Sequence, residues 1–464
     1  MHQIINYIPR KINKSAKYIY KYIPVKYRYG KKFFLKYNKL LESQWWSKHK
    51  LESLQFDETK KILIEASKNV PYYSKMFKEY DIKPNSIKNI EDIIKIPYLT
   101  KDLIRKNIKE LINKNIPTKK HIYVTTSGST GIPLGFYWEK GRTDINEYPF
   151  VWRQWNWAKY YFNDKRVVLR GSLIKNKKTK GLFEYEPQNN SLVMSSYEMT
   201  DNNLYKYIKK IEKFKPKAIQ AYPSSLMILA DFLQRKSLKL QNKIECILTS
   251  SENLYDSQRE FIESTFNAKI FDHYGNTERN ALIMQCEMGN YHIISEYCYT
   301  ELINRNNMPV RQDGEIGEIV VTGFNNLVMP FIRYKTGDLA VYKRGRCSCG
   351  RKFPMIGSIE GRLQELIVSK ENRYVSMTAI NMHSDVFDDI KQFQFYQDTP
   401  GMTIFKIVRK NSYSQEDEIN IIKEIKKKIG SDILLKIEYV DNIPRSASGK
   451  YSFLEQKLKI NYNN

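Results

Sequence analysis

Two rhythms of apolar and polar positions run along the chain and divide it into regions. Asp57 can cap a helix in which Ile62, Leu63 and Ala66 recur at helical spacing toward Val70, and Pro71 ends the run. Asn89, followed by Glu91 and Asp92, opens a shorter helix that Pro97 interrupts, and Pro97 to Leu103 leads into another. Beyond residue 121 the rhythm changes. Ile122-Tyr123-Val124, Arg166 to Arg170, Lys217 to Ser224, Ile244 to Ser250 and Lys269 to His273 read as short strands. Helices are expected over 225–235 and after Leu254. Alternation of this kind predicts an α/β layered domain with ligands at the carboxyl ends of its strands. Glu315 to Gly323 adds a turn and a strand. Near the end, Ile404 to Val408 reads as a strand. Ser414 with Asp417 opens a helix carrying Ile419, Ile422, Ile425 and Ile429, Gly430 stops it, and Leu434 to Val440 forms a second strand. The expected division is an arm over 1–40, a large domain over 41–363 and a small α+β domain over 364–464.

Composition changes this picture in three places. The 464 residues carry a formal charge of +27, a balance that attracts anions or reflects a Lys-, Ile-, Asn- and Tyr-rich composition. The first forty residues hold eleven Lys or Arg, no acid, and aromatics from Tyr7 to Tyr37. Such a stretch suits an anionic membrane surface, stacked nucleic-acid bases, or a fold against the protein's own body. Nucleic acid is the least favoured of these partners. No apolar run has membrane-span length, no signal-type stretch opens the chain, and five Cys make no disulfide framework. A cytoplasmic location is expected, peripheral at the inner membrane face if the arm binds lipid.

The candidate chemistry begins at Ser127-Gly128-Ser129-Thr130-Gly131. Small hydroxylated residues and two Gly turn N–H and O–H donors inward, as a phosphate-wrapping loop requires. No Gly-Lys-Ser/Thr follows, so this is not a Walker loop. Tyr274-Gly275-Asn276-Thr277-Glu278 stands at a strand end, where Glu278 can hold Mg²⁺. Asp338, after Gly337, can accept from ribose hydroxyls or serve as a turn residue. Trp152, Trp155 and Trp157 lie in an aromatic cluster that is either core or an apolar pocket wall. Cys286 and His292 form one pair, Cys347 and Cys349 another. Three thiolates and an imidazole suit a closed, structural tetrahedral Zn²⁺ site that staples two distant segments.

Taken in order, Ser-Gly-Ser-Thr-Gly, Tyr-Gly-Asn-Thr-Glu, Tyr-Lys-Thr-Gly-Asp, Gly361-Arg362 and Pro-Arg-Ser-Ala-Ser-Gly-Lys resemble the motifs of the adenylate-forming superfamily. Ser43-Gln44-Trp45-Trp46 and Val70-Pro71-Tyr72-Tyr73 are similar to its phenylacetate–CoA ligase branch, and within it to the CapK-type capsular polysaccharide proteins. The resemblance implies ATP-dependent activation of a small carboxylic acid, then transfer to CoA, with a carrier protein or sugar amine as alternative acceptor. A basic scaffold that has lost catalysis is the reading from another class. By the same resemblance Ser127 to Gly131 hold the ATP phosphates. Ser251 and Glu252 lie along the adenine and Tyr274 packs on it. Thr277 reaches the α-phosphate, Glu278 binds Mg²⁺, Asp338 binds ribose with Arg362 nearby, and Lys450 is the catalytic lysine of a small mobile C-terminal domain. Two positions depart from the pattern: Leu134 replaces a common Lys, and Gln364 stands at the hinge.

Overall fold

The computed structural model describes residues 22–126, 134–171, 174, 181–362, 366–371, 374–380, 385–387, 389–445, 451–458 and 460. Among the described residues the first helix is Val25–Ser43, whose path breaks at Gly30, where φ is 80°. The next helix, Lys48–Asn69, starts ten residues before the expected one. Its cap is Ser47, whose hydroxyl accepts from the Lys50 N–H, and Asp57 lies inside it. Pro71 does not merely stop this helix; it takes the first position of helix Pro71–Glu79, where a missing N–H costs nothing. Asn89 stands at the start of the expected short element, a 3₁₀ turn Ile90–Lys95, where the Asp92 carboxylate accepts from the Lys88 and Asn89 N–H groups, and Thr100 caps helix Lys101–Lys106.

A twelve-stranded sheet organises the large body. Ser191–Met194, Arg166–Leu169, Ala218–Ala221, Cys246–Ser250 and Lys269–Gly275 lie side by side and parallel. Helices Asp201–Phe214, Pro223–Arg235 and Asp256–Phe266 supply the crossovers. Strand Lys269–Gly275 is parallel to one neighbour and antiparallel to the other, Leu282–Gln285. From there the sheet continues antiparallel through Tyr291–Ile293, Met355–Arg362, Tyr334–Lys343, Ile316–Gly323 and Cys298–Ile303. The architecture is α/β, as the alternation predicted.

His121–Thr125 departs from expectation. It belongs to a separate two-stranded antiparallel hairpin with Gly135–Glu139, outside the large sheet. Near the C-terminus, strands Ile390–Thr399, Met402–Arg409, Leu434–Tyr439 and Leu454–Gln456 make a four-stranded sheet covered by helix Gln415–Ile429. Ser414 and Asp417 form its capping box. Its buried row is Ile421, Ile425 and Ile429, whereas Ile419 is exposed.

The front helices over 48–106 pack on the hairpin that follows them and on the antiparallel half of the sheet. Leu63, Ala66, Tyr73, Phe77 and Ile104 share one core with Ile319, Val321, Ile332 and Ile356 of the antiparallel half. The aromatic helix Tyr148–Trp157 buries Trp152, Trp155 and Trp157 against Tyr29, Phe33 and Tyr37 of the first helix and against Phe162. Trp152 therefore belongs to core, with its ring centroid 4.1 Å from that of Phe162. These arm aromatics face the protein itself, while Tyr22 and Tyr27 are exposed; residues 1–21 lie outside the described residues. Among the described residues no helix is long and apolar enough to cross a membrane.

Arg153 ties helix Tyr148–Trp157 to the first helix and to Glu296. It is fully buried, donates to Glu296 Oε1 at 2.6 Å and to the Leu40 carbonyl at 3.1 Å, and lies against the rings of Trp157 and Phe353. Ser43 Oγ donates to the same carboxylate at 2.7 Å. Removing the cation strands a buried charge, which costs far more than the pair itself contributes. Arg153→Ala is expected to lose about 3–5 kcal/mol of stability, read as a fall in the thermal unfolding midpoint. The double variant Arg153→Leu with Glu296→Leu is expected to recover most of it; recovery by neither partner's removal would argue against a stranded charge.

Candidate active site

The carboxyl ends of the parallel strands meet the motif loops on one side of the sheet. After strand Arg166–Leu169, Arg170 donates to Ser250 Oγ at 2.7 Å and Ser251 Oγ at 2.9 Å and lies over the Tyr222 ring. Ser251 takes φ 74°, a left-handed turn that a side chain tolerates only where its neighbours fix it. Burial and the Arg170 cation push the His273 imidazole down to about 3, so it is neutral.

Glu252 follows this turn and is committed to neighbours. Its carboxylate accepts from the Ser224 N–H at 3.0 Å, the Ser224 hydroxyl at 3.1 Å, and the Tyr451 N–H at 3.1 Å. Arg445 donates to the same Ser224 hydroxyl at 3.1 Å. Burial raises the pKa of Glu252, and the Ser224 and Tyr451 donors oppose the rise. Residues 445 and 451 flank the segment carrying Lys450, so both ends of that segment are held at the strand ends. Lys450 itself, with 446–449, lies outside the described residues, as do Ser127, Gly128, Ser129, Thr130, Gly131 and Gln364. The ends of the 127–133 segment are pinned: the Thr126 N–H donates to the Leu134 carbonyl and the Leu134 N–H to Thr126 Oγ1.

The Tyr274-Gly275-Asn276-Thr277-Glu278 stretch contains the centre of the arrangement. Tyr274 Oη donates to Asp338 Oδ2 at 2.6 Å, and Tyr334 Oη donates to Glu278 Oε1 at 2.8 Å. Both carboxylates are buried, at 8% and 6% exposure. Burial and these anions raise both tyrosine pKa values, so the phenols stay protonated donors. Among the described residues no basic side chain comes within ion-pairing distance of Glu278. A buried carboxylate with one hydrogen bond and no cation retains lone pairs for a divalent metal, so its donor set fits Mg²⁺.

Asp338 lies within strand Tyr334–Lys343, just after the bulge at Gly337, where φ is 77°; the expected turn is this bulge. Its backbone pairs with that of Arg362, whose side chain lies outside the described residues. The Trp138 indole of the hairpin donates to the Thr277 carbonyl at 3.1 Å, and Arg279 stacks on Trp138 at 4.2 Å. The hairpin bearing 127–133 is thus fastened to the Glu278 loop. Asn276 donates to Asn280, and Gly275 ends its strand.

The Cys and His pairs also meet. The side-chain ligand atoms of Cys286, His292, Cys347 and Cys349 all lie within 4.8 Å of one another. Cys286 Sγ is 3.7 Å from Cys347 Sγ, and Cys349 Sγ is 3.4 Å from His292 Nε2. Thiolates on one tetrahedral zinc stand roughly 3.8 Å apart, given Zn–S bonds of about 2.3 Å, so the cluster is the right size. Asn290 Nδ2 donates to Cys347 Sγ at 3.2 Å, the outer support a thiolate ligand needs. Cys298 starts a neighbouring strand and stands apart from the cluster.

Residues 367–457 match the family model "CapK C-terminal domain". Across the chain, "Protein CapK" of Staphylococcus aureus is 27% identical over 449 residues, covering 94% of each chain. "Phenylacetate-coenzyme A ligase" of Pseudomonas putida is 26% identical over 336 residues, covering 69% of this chain and 71% of that one. A crystal structure of 2-hydroxyisobutyryl-CoA ligase, in the postadenylation state with an acyl-AMP, superposes with TM-score 0.67 at 16% identity. It covers 88% of this chain and 89% of that one. The likeness at this level of identity is one of fold: the chain has the fold of that CoA ligase structure. Among the residues of this arrangement, Arg170, Tyr334, Arg445 and Tyr451 were not singled out by the sequence. Tyr334 stands inside Tyr-Lys-Thr-Gly-Asp, and Arg445 inside Pro-Arg-Ser-Ala-Ser-Gly-Lys, so the motif residues beside the expected ligands were the available signal.

Glu252→Ala removes the acceptor of the Tyr451 N–H. Hydrogen exchange over 443–456 is expected to rise about tenfold or more, the strength of a charge-assisted bond, while strand Cys246–Ser250 stays protected. Unchanged exchange over 443–456 would show that Glu252 does not hold this segment.

Proposed function

We propose that this chain activates a carboxylic acid with ATP and hands the acyl group to a thiol, CoA by preference. The observation that supports it is the set of contacts around the end of strand Lys269–Gly275: two tyrosine-held carboxylates, a hairpin fastened to the Thr277 carbonyl, and Arg445 and Tyr451 held by Ser224 and Glu252. In this reading a carboxylate oxygen of the substrate attacks the α-phosphorus of ATP. The P–O bond to the β-phosphate breaks, giving acyl-adenylate and pyrophosphate. Such a reaction needs positioning and charge neutralisation above all. Ser127 to Gly131 would hold the phosphates with N–H and O–H donors, and Thr277 would reach the α-phosphate. Asp338, oriented by Tyr274, would accept from the ribose hydroxyls with Arg362 beside it. Glu278, oriented by Tyr334, would hold Mg²⁺, whose charge lowers the cost of charge build-up on the phosphates. Ser251 would border the adenine, as would Tyr274, Gly275 and Asn276; Glu252 would serve this wall by anchoring Tyr451. Lys450 would place its ammonium on the developing negative charge. Thiol attack on the acyl carbon would then release AMP, after the small domain has moved the lysine aside. The resemblance to CapK-type proteins points toward surface polysaccharide biosynthesis as the setting.

Lys450→Ala is expected to lower acid-dependent ATP–pyrophosphate exchange by 10²-fold or more, the order seen when one preorganised charge partner is removed. Thioester formation from supplied acyl-adenylate and CoA is expected to persist. Equal loss of both steps in a folded variant would reject the assignment, and no exchange with any acid in the parent would reject the reading itself.

We also propose that Cys286, His292, Cys347 and Cys349 hold one structural Zn²⁺. All four positions are protein ligands, so no open position is left for chemistry. Metal analysis of protein purified without added zinc is expected to give about one zinc per chain, and Cys347→Ser to lose it together with thermal stability. Metal-free parent protein, as stable as the variant, would rule the site out.

A further inference from the structure

A cavity of about 380 Å³ opens between the first helix and the start of helix Tyr148–Trp157. It is large enough for a small organic ligand. Arg28, Lys31, Lys32 and Lys36 of the first helix line one side, with Tyr29 and Phe33 between them, and among the described residues no acidic one lines it. Gly30 sits within this wall. Its φ of 80° breaks the helix there, and a Cβ at this position would meet nothing within 4 Å, so the break leaves open space. Lys36 lies over the Phe150 ring at 5.0 Å. Among the described residues no carboxylate is within ion-pairing distance of Lys31, Lys32 or Lys36. Several cations facing one concave, largely apolar space focus a positive potential into it.

Tyr148 joins this cavity to the strand ends. It lines the cavity; burial raises its pKa, and the Arg279 and Arg170 cations oppose the rise. Arg170 is the residue bonded to Ser250 and Ser251, and Arg279 immediately follows Glu278. The neighbouring Glu147 accepts from Tyr297 Oη at 2.9 Å and pairs with Arg279 at 3.7 Å, which fixes this corner.

We propose that the cavity receives the body of the activated acid, and that this acid is an apolar or aromatic molecule with a second anionic group. The reacting carboxylate would face Arg170 and Arg279 past Tyr148. The second anion, a carboxylate, sulfate or phosphate, would lie against Lys32 and Lys36. The inference rests on the adenylation reading and deepens it by naming a substrate class. Phenylacetate, an acid without a second charge, would leave these lysines unanswered.

The test is acid-dependent ATP–pyrophosphate exchange by the full chain over a library of carboxylic acids in matched pairs, with and without a second anion, including phenylacetate and 4-sulfophenylacetate. The parent, Lys36→Gln, Lys32→Gln and the cavity-filling Asn146→Trp are compared. Doubly anionic acids are expected to exchange better than their partners. Each lysine variant is expected to raise their KM about tenfold, as loss of one charge-assisted contact does, with the KM for ATP unchanged. Asn146→Trp is expected to abolish the preference. Preference for singly charged acids, indifference of the KM to all three variants, or an effect confined to the CoA step overturns the proposal. Exchange with some acid in those cases leaves the adenylation reading standing. If no acid exchanges, that reading fails, and the pocket is then judged by thermal stabilisation with 4-sulfophenylacetate alone; absence of a Lys36-dependent shift overturns it too.

Discussion

Two phenol hydroxyls and two buried carboxylates set the terms for this molecule. Burying an ionised carboxyl without a partner is prohibitive, and a salt bridge would consume its charge. Donation from Tyr334 to Glu278 and from Tyr274 to Asp338 answers part of the desolvation cost of both carboxylates. The phenols can do this because burial and the same anions raise their pKa values. The arrangement needs the parallel and antiparallel halves of the sheet together. Glu278 follows the last parallel strand, while Asp338 and Tyr334 stand on an antiparallel one. Strand Lys269–Gly275, shared by both halves, is the seam on which they meet.

Much of this was legible in the sequence because it is local. Strand ends at 222, 250 and 274 follow from short apolar runs closed by small residues, and the helix behind Ser414 follows from its capping box. The misreadings have local causes too. In helix Lys48–Asn69 the buried positions before Ile62 are Leu51, Gln55 and Thr59. Two of the three are polar, so the apolar period fades and Asp57 looks like the start. Gln55 is buried because it donates to the Cys298 carbonyl, 243 residues away. In helix Gln415–Ile429 the isoleucines at 419, 421 and 422 offer competing stripes, and packing selects 421. The hairpin around 127–133 reads like a sheet strand because residue pattern does not say which sheet a strand joins.

The tyrosine–carboxylate bonds lie beyond the reach of such reading. Their partners stand 56 and 64 residues apart, and only the fold pairs them. The same holds for Glu252, whose link to Tyr451 spans 199 residues. The family resemblance implies a nucleotide wall at Glu252, and its geometry adds an anchor at Tyr451, beside the segment that carries Lys450. The Cys and His pairs are the converse case. Four candidate ligands of two types, in two short stretches, were visible at once, and the fold brings their atoms within 4.8 Å of one another.

The placement of the front helices has a consequence for how the chain is made. Tyr73 donates to the Pro330 carbonyl, the Asn113 N–H to the Val328 carbonyl, and Leu99 bridges to Tyr334. These partners leave the ribosome more than two hundred residues after the helices that need them. At about 5–20 residues per second, the apolar faces of Leu63, Phe77 and Ile104 wait on the order of tens of seconds for their cover. The parallel strands over 166–275 meet their neighbours far sooner, by short crossovers. Translation therefore delivers a nearly complete inner layer while the first-made helices remain sticky, and the cell must shield the oldest part of the chain longest.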